Sequence, residues 1–106
     1  MQFAALNDYD WQDAGTPGAE KYEIWRRGDN AYLVAFRVAR GTTFRPHARA
    51  AGWEHLTVVS GKWQLGESVL GPGDVAITAP GEAHENETAL EDSIVVISVG
   101  NAEIPA

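Results

Sequence analysis

Three histidines, one glutamate and one arginine carry most of the chemistry available to this sequence. His47, Glu54 and His84 offer two imidazole nitrogens and a carboxylate oxygen, and Arg49 stands two residues beyond His47. Two histidines and one carboxylate on one side of an ion leave its other positions open to substrate. The chain has no cysteine, so any metal must take histidine, carboxylate or water. With iron, such an open site would activate dioxygen; with zinc, manganese or nickel it would polarise a carbonyl or an enolate. Taken singly, each histidine is more often a surface or hydrogen-bonded residue than a ligand. The case therefore rests on the three donors converging.

Strand parity is what would make them converge. Glu54 opens the run EHLTVVS, where residues two apart share a face. Glu54 thus lies with Leu56 and Val58 on an apolar, inward face, and a carboxylate there is costly unless it is paired or bound to a cation. His55 must point the other way, so it is expected to be structural or to sit at a subunit contact. His47 and Arg49 are two apart on an extended segment and are expected to face one way.

Arg49 itself cannot ligate a metal, because a guanidinium stays protonated and offers no lone pair. Three readings of it stand side by side. Arg49 clamps an anionic substrate beside an ion held by His47, Glu54 and His84. Or it pairs with Glu54 in a metal-free pocket, where His47 or His84 acts as acid or base. Or it points out of the pocket into water. In the first reading an arginine about 5 Å from a dication costs on the order of 6 kcal/mol before screening, at an effective dielectric near 20. Arg49 and His84 are the residues expected to meet the substrate.

The elements that must hold these groups are strands. In AYLVAFRVAR, Tyr32, Val34, Phe36 and Val38 share one face, and KYEIWRR precedes it across the break Gly28-Asp29-Asn30. EHLTVVS turns at Ser60-Gly61 and returns as KWQLGE. SVL ends at Gly71-Pro72-Gly73, DVAITA ends at Pro80-Gly81, and SIVVISVG is a last, β-branched strand. Gly71-Pro72-Gly73 reads as a turn and not a phosphate cradle, since no helix follows it. Residues 1–19 are expected to be irregular, with a helical turn somewhere in 1–13. Many short strands with closely spaced turn signals predict an all-β sandwich or barrel over about residues 20–100, within one domain of 106 residues. Trp25, Trp53 and Trp63 are expected in the core or at an interface rather than stacked on substrate.

Fifteen acidic against eight basic residues give a formal net charge of −7. That balance argues against nucleic acid and anionic membrane as partners, which reward basic patches. No apolar run approaches the roughly 20 residues needed to span a bilayer. The start, MQFAALNDYDWQD, lacks a basic stretch followed by an apolar one, so the expected location is cytoplasmic.

The spacing resembles a known family, the cupins. Their first motif runs Gly, five residues, His-x-His, three or four residues, Glu, six residues, Gly. Here Gly41, His47, Glu54 and Gly61 fall at those places, and Arg49 stands where the second histidine would be. Their second motif is similar to GDVAITAPGEAH, which supplies Gly73, Gly81 and His84; the proline has moved to Pro80, and Thr88 stands for the family's asparagine. Within the family, HARAAGWEHLTVVSGKW is most similar to the ChrR-type group, which includes anti-sigma cupin halves and acetylacetone-cleaving dioxygenases. The resemblance implies an RmlC-like double-stranded β-helix, or jelly-roll barrel, usually a homodimer. It implies a divalent ion (Fe, Zn, Mn or Ni) on His47, Glu54 and His84, and a small-molecule enzyme of dioxygenase, lyase or isomerase type. The alternative is a cupin that binds or senses a small molecule without catalysis. Tyr22, Ile24 and Trp25 are expected to cover a sheet edge or meet a second chain.

Overall fold

Among the described residues the alternating apolar runs fold into ten strands and one short turn of helix. The computed structural model describes residues 1–45, 52–82 and 85–100. After a 3-10 turn at Leu6–Asp8 come β1 (Gln12–Asp13), β2 (Ala19–Arg26), β3 (Tyr32–Val38), β4 (Thr43–Phe44) and β5 (Trp53–Ser60). There follow β6 (Trp63–Leu65), β7 (Ser68–Leu70), β8 (Val75–Thr78), β9 (Glu87–Ala89) and β10 (Ser93–Gly100). They form two antiparallel sheets, ordered β1-β2-β3-β10-β5-β8 and β4-β9-β6-β7. This is the double-stranded β-helix that the strand pattern and the motifs led us to expect. No described helix is long and apolar enough to cross a membrane.

The opening stretch is more ordered than its composition suggests. The 3-10 turn lies within the region expected to hold a helical turn, and β1 pairs with β2 through Gln12 opposite Lys21 and Asp13 opposite Glu20. Tyr9 stacks on Tyr22 with ring centroids 4.5 Å apart. β2 begins at Ala19, one residue ahead of the predicted barrel.

The period of two sorts each long strand into an inner and an outer row. Across β10 the register sets Val95 against Val58 and Phe36, and Ile97 against Leu56 and Val34. Val38, Leu56, Val58, Trp63, Ala89 and Val95 form the buried core between the sheets. β3, β5 and β10 are thus largely apolar on the side that faces the other sheet, Glu54 being the exception. Gly61 is needed for a tight approach. It has a φ of +87°, and a Cβ there would meet Asp92 O at 2.4 Å and Ser93 Oγ at 2.3 Å. Only glycine tolerates both conditions, which explains a glycine at the β5–β6 turn.

Candidate functional site

Glu54 is the one predicted site residue among the described residues; His47, Arg49 and His84 lie outside them. Its side chain is 1% exposed and is among the largest fully buried ones in the protein. It shares the inner row of β5 with Leu56 and Val58, as parity requires. In register it faces Thr78 of β8 on one side and Val99 of β10 on the other. In sequence, segment 46–51 ends three residues before Glu54, and segment 83–84 begins five residues after Thr78. Among the described residues no group of three or more His, Asp or Glu side chains is placed to hold a metal.

His55 takes the opposite face, between Ile77 and Ser98 in register. Its Nε2 is buried and finds no hydrogen-bond partner among the described residues. The neighbouring outer-face residues Val75 and Ile77 are 48% and 54% exposed. Register thus puts His55 on the outer face of the sheet and not in the inner chamber.

The inner chamber holds a second buried acid. Glu87 of β9 is 6% exposed and accepts a hydrogen bond from Trp63 Nε1 at 3.2 Å. Glu87 and Ala89 alternate inward on the four-stranded sheet, so carboxylates line the chamber from both sheets. Trp63 is a core residue, as expected, and its indole N–H satisfies part of this acid's need for donors. Trp25, by contrast, is 43% exposed on the outer face.

Further along the same concave wall lies a cleft of about 210 Å³ lined by Lys21, Glu23, Arg26, Tyr32, Val34, Phe36 and Ile97. The Arg26 guanidinium lies over the Tyr32 ring, 4.6 Å from its centroid. Its Nε donates to Glu23 Oε1, and its Nη1 donates to Gly28 O at 3.1 Å. The hydrogen bond to the Glu23 carboxylate holds the guanidinium pKa above its ordinary value. Arg26, Tyr32, Val99 and Glu54 occupy one register row across four neighbouring strands. The sequence reading did not single out Lys21, Arg26, Tyr32 or Glu87.

No family model and no curated relative matches the chain. Solved structures do. KdgF from Halomonas sp. is 26% identical with a TM-score of 0.81, the match covering 96% of each chain. The anti-sigma ChrR of Rhodobacter sphaeroides, solved with SigE, is 22% identical with a TM-score of 0.74, over 90% of this chain and 50% of that one. An acetylacetone dioxygenase from Acinetobacter johnsonii is 16% identical with a TM-score of 0.75, over 93% and 72%. The last two likenesses speak for the fold alone.

Proposed function

The chain is a small cupin with the RmlC-like barrel, and from that premise we propose that it is a small-molecule enzyme with a mononuclear divalent-metal site. His47, Glu54 and His84 would hold the ion, which would be iron, zinc, manganese or nickel. Arg49 would clamp an anionic group of the substrate, since its planar fork matches a carboxylate at two points. When bound, the ion would supply an open position for activating dioxygen or polarising a substrate oxygen.

The observation that carries this reading is the burial of Glu54. A carboxylate so far from water needs a cation or several donors. The two segments that flank its end of the barrel in sequence bring two histidines and an arginine. The donor set of one hard oxygen and two imidazoles suits the named ions. The barrel also hosts a dioxygenase in Acinetobacter johnsonii, although a shared fold does not transfer chemistry.

Metal analysis of protein purified without a chelating column tests the proposal. The wild type should carry metal, and Arg49→Lys should change that content little while weakening the binding of an anionic substrate. Arg49→His should raise metal affinity, because it removes a like charge and adds a ligand, and should lower turnover by filling the open position. A metal-free wild type would overturn the metal centre. It would favour the second reading, a metal-free cupin that binds or senses a small molecule, with Arg49 paired to Glu54. That reading draws on the arginine standing where a ligating histidine is expected.

The proposal extends to a cytoplasmic homodimer. Beyond Lys21 the outer edge of β2 has no strand partner among the described residues. An unprotected edge is a liability that a second copy removes. Trp25, exposed on the outer face, would lie in that contact.

A further inference from the structure

We infer that the cleft between β2 and β3 is a carboxylate-binding subsite, taking the anionic end of a small apolar monocarboxylate whose body points toward Glu54. The inference rests on reading the concave face as the substrate chamber.

The backbone builds this cleft by a single irregularity. The pairing of β2 with β3 shifts between Glu23 and Trp25, so Ile24 is an extra residue in β2. Strict alternation would set Arg26 on the face opposite Glu23, three residues away. The bulge returns Trp25 to the outer face opposite Leu33 and puts Arg26 on the inner face opposite Tyr32. Bulges commonly re-aim a side chain beside a site, and here the result is an arginine fixed on three sides. Tyr32 supports its flat face, Glu23 takes Nε, and Gly28 O takes Nη1. Nothing among the described residues accepts from Nη2. A guanidinium held this way loses little freedom on binding and keeps N–H bonds for an anion.

Charge and shape define the ligand. Within the lining Lys21 and Arg26 outweigh Glu23 by one positive charge, with Asp29 near Arg26 outside it, and among the described residues no carboxylate pairs with Lys21. The rest of the lining is Tyr32, Val34, Phe36 and Ile97, an apolar floor. The cleft is smaller than the roughly 300–1,000 Å³ of drug-sized sites, so it suits a small monoanion or one end of a longer molecule. Arg26 and Glu54 lie three strands apart in one row, about 14 Å between backbones. Ile97 and Val34 pave the next row between them, beside Leu56.

The opposite face supplies a control. Arg37 also lies over an aromatic ring, that of Trp11, at 4.8 Å. Its Nε and Nη2 donate to Glu20 Oε1, at 3.0 and 2.8 Å, so it engages as many donors as Arg26 does. The two arginines share an environment type and differ in what lies beside them: the apolar floor of Val34, Phe36 and Ile97 borders Arg26 and not Arg37.

Benzoate titrated into chelator-treated, metal-free protein, followed by amide chemical shifts, tests the subsite apart from the metal centre. Millimolar benzoate should shift residues 21–26 and 32–36. Arg26→Gln should weaken binding about tenfold and Lys21→Gln about threefold, as loss of a charge-assisted contact predicts. Arg26→Lys should fall between wild type and Arg26→Gln, while Arg37→Gln should bind as wild type does. Dispersed spectra verify that each variant is folded. The inference is overturned if folded wild type shows no saturable shifts, if benzyl alcohol binds as well as benzoate, or if Arg37→Gln loses as much as Arg26→Gln. Because no metal is present, these results stand whether or not the Arg49 experiments support a metal centre.

Discussion

The two faces of the six-stranded sheet are made from the same strands and follow opposite rules. Inside, polar groups are kept: Glu54 is fully buried, and Arg26 lies exposed over the Tyr32 ring. Outside, apolar groups are kept and exposed: Val75 and Ile77 stand beside a histidine whose Nε2 has no partner among the described residues. The contrast is sharpest at Glu54 and His55, adjacent in sequence and opposite in position. Burial of a charge within a domain's own core costs free energy and needs a reason. Exposed aliphatic side chains are ordinary singly, but grouped on a sheet face they suit a contact with another molecule.

The largest effect expected from this comparison is on stability. Leu56 is in the core and Ile77 is exposed on the outer face. Leu56→Ala should cost about 2–5 kcal/mol, whereas Ile77→Ala should stay within about 0.5 kcal/mol. Urea denaturation of both variants measures the gap, and equal losses would mean that the outer face is packed within the monomer. Next comes metal binding. Glu54→Gln should lower metal affinity at least tenfold, about 1.4 kcal/mol, and His55→Gln should leave it unchanged. A comparable loss from both would place His55 among the ligands and break the parity argument. The smallest effect concerns association. Sedimentation should find the wild type dimeric at micromolar concentration and Trp25→Glu shifted toward monomer, with the melting behaviour of the barrel little altered. A monomeric wild type would remove the second copy from the outer edge.

How much of this was legible beforehand differs by element. The runs at 32–38, 53–60 and 93–100 announced themselves, because seven or eight alternating residues leave little doubt about face. β1, β4 and β9 are two or three residues long, too short to display a period. Glu87 was therefore hidden: its strand shows a single alternation, and its burial depends on Trp63 coming from a different hairpin. His47, Arg49 and His84 were legible through motif spacing, and only Glu54 of the site can be followed into the described structure.

By itself the sequence determined the strand pattern, the turns and the opposed directions of Glu54 and His55, because side-chain alternation is a local property of extended backbone. It also marked Ser60-Gly61 as a turn, although the positive φ of Gly61 and the crowding by Asp92 and Ser93 came only with the fold. The tertiary structure alone decided where Arg26 points. Nothing in KYEIWRR marks Ile24 as an extra residue, since no glycine or proline interrupts the run. The bulge shows only in the pairing of β2 with β3, just before the hairpin end closed by the Arg27 to Ala31 backbone hydrogen bond of 2.8 Å. Register is a relation between two strands, so one strand's residues cannot specify it, and a shift of one place moves a side chain to the other face.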